Sequence, residues 1–264
     1  MKTISSLCFI ALFIFVSALS VFSQSNQQIE TELISGIKDI QKRTIYGGDY
    51  DREKLSRAQA VFEERLLKFS KFPSTLRYEF RELDELMSIV TSEDGKLRSY
   101  SWDLQDGGTM HRFANVYQYE GADGGVYSKA TAIPEDGVAL GFVTDIFKLD
   151  TKSGKVYIVC STYIASGKLN LQSADLYRMD GTVLNDKVKL FRTRSGLTNS
   201  LRFEYDNFSV IDRPDRPTKL ISFDKSTGVL RIPVVIKDEE YPDGRVTDKF
   251  ISYRFDGRYF EKLK

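Results

Sequence analysis

The sequence of 264 residues predicts a mainly β protein with N-terminal helices, in which an antiparallel meander forms a sandwich or an open barrel. Three observations support this prediction: a strand pattern that recurs six times, glycine-containing turn signals after residue 92, and apolar residues at helical spacing before residue 90. We expect a signal peptide over 1–23, a helical element over 24–90 and an antiparallel β domain over 91–264. The last two are expected to pack as one unit.

The recurring pattern is an apolar residue, any residue, a second apolar residue and then Asp. Alternation of apolar and polar side chains is typical of a strand with one buried face. The closing Asp can accept a hydrogen bond from the backbone that follows it and so begin a turn. We therefore interpret the copies as strand ends that lead into hairpins. They close at Asp103, Asp150, Asp180, Asp206, Asp224 and Asp256.

The spacing of these copies favours an irregular meander over a repeat architecture. A propeller of the WD type repeats at about 40–45 residues, whereas the copies here follow no fixed period. Only the first copy, which ends in Trp102-Asp103, resembles the WD signature. A small irregular propeller is therefore the alternative fold, and the turn signals separate roughly ten to twelve expected strands.

Residues 1–23 have the form of a secretory signal peptide. Lys2 supplies a positive charge, and a mostly apolar run over 7–22 follows it. Cleavage is expected after Ser23, with a secreted or periplasmic location for the mature chain. The run is shorter than the about 20 residues of a membrane-spanning helix, so we expect no integral membrane span after signal removal; a retained anchor is the lesser alternative.

Apolar residues at helical spacing predict three helices before the β region. The first covers about residues 26–43, the second ends near Ser70, and the third continues to about Met87. We expect them to pack on the following sheet. A partner-binding role, as in an inhibitor or a secretion partner, is the alternative. The expected N-caps are Asp49 or Asp51 for the second helix and Ser74 or Thr75 for the third.

The composition indicates a folded chain without an electrostatic preference for nucleic acid. The apolar fraction is 41% and the aromatic fraction is 12%, which argues against disorder. The 38 Lys and Arg residues nearly balance the 37 Asp and Glu residues. A balanced surface gives no reason to expect binding to nucleic acid or to an anionic membrane.

The stretch 99–111 is the densest in residues capable of chemistry, and it contains the only Trp and the only His of the chain. Asp103, Asp106 and His111 could form an acid–base cluster, because imidazole titrates near neutrality and a carboxylate can fix its tautomer. The competing interpretation is a hairpin with a Gly-Gly turn, a core Trp and an incidental His. These three residues are therefore candidates only, since proximity in sequence does not by itself give catalytic geometry.

Four aromatic residues lie close together in sequence around two expected hairpins, and they are the candidate ligand-binding residues. Exposed aromatic rings on a sheet face can stack on sugar rings or anchor a protein partner. Core packing is the competing explanation. The four residues are Trp102, Tyr117, Tyr119 and Tyr127.

The sequence contains no motif for a metal, a phosphate loop or a dinucleotide. One His and the one Cys of the expected mature chain, Cys160, cannot provide the four ligands of a structural zinc site in a monomer. Cys160 shares a strand face with Val156 and Ile158, which predicts a buried small residue rather than a nucleophile paired with His111. We expect no metal and no cofactor.

Two segments resemble secreted bacterial proteins of unknown function. Residues 95–111 carry Gly95-Lys96-Leu97-Arg98, Tyr100-Ser101-Trp102-Asp103 and Gly107-Gly108-Thr109-Met110-His111. Residues 253–260 are similar to the ends of such chains. The resemblance implies a bacterial envelope or secreted location, and it implies no activity.

The function expected from the sequence is that of an exported, non-catalytic binding or envelope-structural protein, with a glycan or a protein as its partner. No group of residues supplies a nucleophile, a base and an orienting group together, so an enzyme is the less favoured reading. The alternative is a secreted hydrolase that acts on a glycan or a peptide, with its site near 102–111.

Overall fold

The computed structural model describes residues 24–45, 50–133, 139–152, 154–213 and 218–264. The expected signal peptide over 1–23 and Asp49, one of the two expected N-caps of the second helix, lie outside these residues. No helix in the described ranges is both long enough and apolar enough to cross a membrane.

Two long helices open the described chain, as the apolar spacing predicts. α1 (Asn26–Lys42) begins with a capping box, in which Ser25 and Gln28 exchange hydrogen bonds between side chain and backbone. α2 (Arg52–Phe69) is capped by Asp51, whose carboxylate accepts N–H groups of the first turn. Each cap satisfies backbone donors that the helix leaves unpaired, which fixes where the helix begins.

The prediction of a long third helix is wrong. The segment contains instead a 3-10 turn (Pro73–Thr75) and one helical turn, α3 (Arg81–Asp84). The guanidinium of Arg98 donates to the backbone carbonyls of Thr75, at the end of the 3-10 turn, and of Tyr78, between the two turns. The buried carboxylate of Glu30 on α1 accepts N–H groups of α3. These tertiary bonds replace those of a continuous helix and override the local spacing.

Fifteen strands follow in the described ranges, more than expected, because five of them are only three residues long. The β region also begins slightly earlier than residue 91, and one short helix, α4 (Phe208–Ile211), follows β11. The strands are β1 (Ser88–Thr91), β2 (Leu97–Asp103), β3 (Phe113–Glu120), β4 (Val126–Ala130), β5 (Phe142–Thr151), β6 (Gly154–Ile164), β7 (Leu169–Asp180), β8 (Val183–Asn185), β9 (Phe191–Thr193), β10 (Gly196–Thr198), β11 (Ser200–Asp206), β12 (Ser222–Asp224), β13 (Val229–Ile236), β14 (Arg245–Phe255) and β15 (Phe260–Lys262).

The strands form three sheets, which we name by their place in the fold. The helix-side sheet has the order β1-β2-β3-β4. The central sheet has the order β11-β7-β6-β5, with β8 paired to β7. The far sheet has the order β10-β9-β15-β14-β13-β12. Neighbouring strands are antiparallel except β9 and β15, which meet in parallel at one residue pair.

The elements stack in layers: helices, helix-side sheet, central sheet and far sheet. Tyr100 and Trp102, on one face of β2, share a core with α1 and α2. Leu97, on the other face of β2, packs with Tyr157 of the central sheet. Cys160 points from the opposite face of β6 into the core shared with the far sheet. Both faces of β2 and of β6 are therefore covered by other layers.

The stacked sheets confirm the sandwich, and the propeller alternative is wrong, because the described sheets pack face to face and none closes on itself. The strand-end pattern is confirmed at those copies where the Asp carboxylate accepts a hydrogen bond from the backbone N–H two residues later. This hydrogen bond begins a turn. This hydrogen bond is present at Asp103, Asp206, Asp224 and Asp256.

Candidate functional site

The stretch 99–111 forms the end of β2 and most of the loop that leads to β3. Asp103 Oδ1 accepts the N–H of Gln105 at 2.8 Å. Gln105 has a φ of 57°, and it is the one non-glycine among the described residues with a positive φ. Gln59 on α2 donates to the backbone carbonyl of Leu104. These contacts hold the loop against α2 and turn the chain sharply after β2.

The loop brings together His111 and Asp103, two of the three candidate acid–base residues. His111 Nδ1 lies 2.6 Å from Asp103 Oδ2. The carboxylate favours the tautomer with a proton on Nδ1, which leaves the lone pair of the neutral ring on Nε2. The His111 backbone donates to the carbonyl of Ile164, and the ring stacks on Phe113 with centroids 6.3 Å apart. The imidazole is therefore held in place while its side chain is 37% exposed.

Asp106, the third residue of the expected cluster, has a different partner. Its Oδ2 pairs with Arg112 Nη1 at 2.7 Å. The guanidinium competes successfully for this carboxylate because a charged donor forms the stronger hydrogen bond. The expected three-residue cluster is therefore corrected to the pair of His111 and Asp103, which has the arrangement of a general base with an orienting carboxylate.

Two possible nucleophiles, on β6 and β2, are buried or fully hydrogen-bonded within the fold. Cys160 is 3% exposed, and burial raises the pKa of its thiol well above the ordinary value. The Ser101 hydroxyl donates to Asn115 and accepts the N–H of Val143. No group of three His, Cys, Asp or Glu side chains in the described part of the chain is placed to hold a metal ion.

Three of the four candidate ligand-binding aromatics are buried, which corrects the expectation of exposed rings. Trp102 is 1% exposed and packs edge-on against Phe62. Tyr117 and Tyr119 are each 5% exposed, because they lie in the core between the helix-side and central sheets. Tyr127 is half-buried, and its hydroxyl donates to a carboxylate in the adjacent turn. These rings stabilise the fold rather than form an open stacking surface.

A groove between α1 and α2 was missed by sequence reasoning, and we call it the α1–α2 groove. Its volume is about 570 Å³, and its lining includes the apolar residues Ala58, Val61 and Phe62. Val61 is 41% exposed despite its apolar side chain. The cations that line the groove are Lys42, Arg43, Lys54, Arg57 and Arg65, and the one lining carboxylate is Asp39.

Some of these cations pair with carboxylates on their own helix or its cap. Arg43 pairs with Asp39 at 3.0 Å, and Arg57 pairs with Glu53 at 3.4 Å. Exposed pairs of this kind stabilise by about 0–1 kcal/mol. The cations of α2 recur at helical spacing and therefore share a face with Val61, a signal that was present in the sequence.

Comparisons of the chain with protein-family models, with curated proteins and with solved structures found no match. The resemblance of residues 95–111 and 253–260 to secreted bacterial proteins stays a prediction. The first segment contributes to the helix-side sheet and the second to the far sheet.

Proposed function

We propose that the protein is an exported, non-catalytic binding protein whose α1–α2 groove holds an acidic segment of a partner protein. The observation that carries this proposal is the charge of the groove, which is lined by five cations and one carboxylate. Cations that converge on a concave surface raise the local concentration of an acidic partner and steer its approach.

The apolar part of the groove favours a protein segment over a simple anion. Val61 is 41% exposed, and it lies on α2 between the cations Arg57 and Arg65. A segment that carries both acidic and apolar side chains would bury Val61 and pair with the cations beside it. Nucleic acid is not favoured, because the whole chain has a net charge of only +1.

The existing ion pairs oppose such binding only weakly. Glu53 is an exposed carboxylate and Asp39 a partly exposed one, and their pairs with Arg57 and Arg43 exchange at a cost of about 0–1 kcal/mol each. Screening affects the proposed contacts strongly, because the Debye length falls from about 10 Å at 0.1 M salt to about 3 Å at 1 M. Binding is therefore expected to weaken steeply as salt is added.

The test is the binding of a fluorescein-labelled peptide of Glu residues interrupted by Leu, measured by fluorescence anisotropy. The variant with Arg57→Glu and Arg65→Glu should bind at least about tenfold more weakly than the wild type. The matched control reverses two exposed arginines of the far sheet, Arg231→Glu and Arg254→Glu, and changes the net charge equally. Equal affinities of the two double variants would contradict the proposal.

The pair of His111 and Asp103 favours a second candidate function, a secreted hydrolase that acts on a glycan or a peptide. Asp103 orients the imidazole at 2.6 Å, so that Nε2 is able to accept a proton from water. Hydrolysis of nitrophenyl glycosides and nitroanilide peptides by the wild type and by His111→Gln tests it. Turnover that is lost in His111→Gln without a change in melting temperature would contradict the non-catalytic proposal.

A further inference from the structure

Arg98 is a buried cation on the face of β2 that points to the helices. It is 6% exposed. Its Nε donates to Thr91 Oγ1 at 2.7 Å. Its Nη1 donates to the backbone carbonyls of Thr75 and Tyr78, each at 2.8 Å. These bonds use the Nε proton and both protons of Nη1, and they tie β2 to the turn before α3.

The charge of Arg98 has no carboxylate partner within ion-pairing distance among the described residues. The ring centroids of Phe80 and Tyr100 lie 5.7 Å and 5.9 Å from its Cζ, which stabilises the cation in part. Buried charges in proteins are normally paired, because removing an ion from water is costly. A bound anion at Arg98 would add the ion pair that the chain does not supply.

A pocket of about 290 Å³ opens at Arg98, between α3 and β1. The hydrogen bonds that Arg98 makes to Thr91, Thr75 and Tyr78 do not use its Nη2 group, and the guanidinium also interacts with the Tyr100 hydroxyl. Nη2 and Nε form the edge of the guanidinium to which a carboxylate binds with two parallel hydrogen bonds. On this edge Thr91 Oγ1 accepts the hydrogen bond from Nε, and the Thr91 hydroxyl can still donate its own proton to a ligand. A carboxylate in the pocket can therefore accept from both Nη2 and Thr91.

The two carboxylates that line the pocket already have partners. Glu79 pairs with the exposed Arg81 at 2.6 Å, and Asp84 accepts the N–H of Ile89 at 2.8 Å. They leave Arg98 unpaired, and they repel a ligand with several negative charges. Ile89 and Phe80 form the apolar part of the pocket lining. A ligand with a single carboxylate and a short apolar body suits this combination.

We propose that this pocket binds a small organic monocarboxylate, whose carboxylate pairs with Arg98 and Thr91 and whose apolar part packs on Ile89 and Phe80. The pocket shares no lining residue with the α1–α2 groove. The proposal therefore goes beyond the proposed function and stands without it.

Sodium butyrate is the probe, butyramide is its uncharged control, and inorganic phosphate tests for a general anion site. Binding is measured by titration calorimetry and by the shift in melting temperature at equal ionic strength. Butyrate should bind at least about tenfold more tightly than butyramide and phosphate. Equal binding of butyrate and butyramide overturns the role of the carboxylate, and tighter binding of phosphate overturns the monocarboxylate class.

Thr91→Asp tests the geometry without removing Arg98, whose loss would also release the turn before α3. Asp at this position places a carboxylate on the Nε and Nη2 edge and occupies the anion site from within the chain. Thr91→Asp should melt at a higher temperature than the matched neutral variant Thr91→Asn, and it should lose the butyrate response of the wild type. A lower melting temperature of Thr91→Asp, or a butyrate response equal to that of the wild type, overturns the proposal.

Discussion

The ring of Phe62 on α2 meets the ring of Trp102 on β2 edge-on, with centroids 5.1 Å apart and planes at 73°. Both side chains are 1% exposed. Edge-to-face pairs stabilise by about 0.5–1.5 kcal/mol beyond the area that they bury. The contact joins the helix layer to the helix-side sheet, so the fluorescence of the only Trp reports on this junction.

Phe62→Ala should lower the free energy of unfolding by about 3–5 kcal/mol, because it opens a cavity beside Trp102 that the helices cannot close. Urea denaturation followed by the fluorescence of Trp102 measures this loss. The control is Phe72→Ala, which removes a ring that is 38% exposed and should cost about 1 kcal/mol or less. Similar losses for the two variants would show that the Phe62 contact does not hold the layers together.

Gly36 on α1 lies against the other side of this junction, and a Cβ atom there would come 2.9 Å from Phe62 Cδ2. Alanine favours a helix over glycine by about 1 kcal/mol, whereas overpacking a core costs about 1–3 kcal/mol. Because Phe62 is packed on Trp102, we expect Gly36→Ala to lower the unfolding free energy. Ser35→Ala, at the exposed neighbouring position, should raise it slightly. A Gly36→Ala variant that is more stable than the wild type would mean that the Phe62 ring shifts to make room for the added methyl group.

The strands and the first two helices could be predicted because their signals are local. Alternation and turn residues define a strand, and Asp51, one of the two expected caps, defines the start of α2 without any distant contact. The third helix could not be excluded in the same way. Its interruption depends on Glu30 and Arg98, which reach it from α1 and from β2.

The pair of His111 and Asp103 could be predicted because one loop joins the two residues, but the partner of Asp106 could not. His111 and Asp103 are brought together by the β2–β3 loop, whereas the ion pair of Asp106 with Arg112 is one of several that the loop sequence allows. The burial of Tyr117 depends on a central sheet that covers the second face of β3. Antiparallel sheets often leave one face to solvent, and on that basis the sequence predicts an exposed Tyr117. The central sheet covers this face instead.

The signal peptide prediction leads to a defined mature terminus. Cleavage after Ser23 should leave Gln24 as the first residue, with the Ser25 cap of α1 intact. The mass of the protein recovered from an exporting host measures this terminus. A recombinant chain that begins at Gln24 should melt at the temperature of the exported protein, whereas one that begins at Ile29 loses the cap and about 1 kcal/mol of stability. A full-length mass in the host membrane would contradict cleavage and favour a retained anchor.

Asp94 lies in the turn between β1 and β2 and connects it to the central sheet. Its carboxylate accepts from Ser92 Oγ at 2.8 Å and from Tyr157 Oη at 3.2 Å. Lys155 Nζ lies 3.4 Å away, and the N–H of Lys96 also donates to it. Burial alone would raise the pKa of this carboxyl, but these donors outweigh it and hold the pKa below the ordinary 3.8.

Asp94→Asn should therefore destabilise the protein in a way that depends on pH. Because the folded-state pKa is the lower one, Asp94 contributes stability that is present above about pH 4 and is lost as the pH falls through the folded-state value. Near neutral pH the substitution should lower the unfolding free energy by about 1–3 kcal/mol. Urea denaturation across the acidic range should show the difference from the wild type shrinking, while the exposed control Glu239→Gln stays close to the wild type throughout. A difference that does not change with pH would mean that the hydrogen bonds, and not the charge, provide the stabilisation.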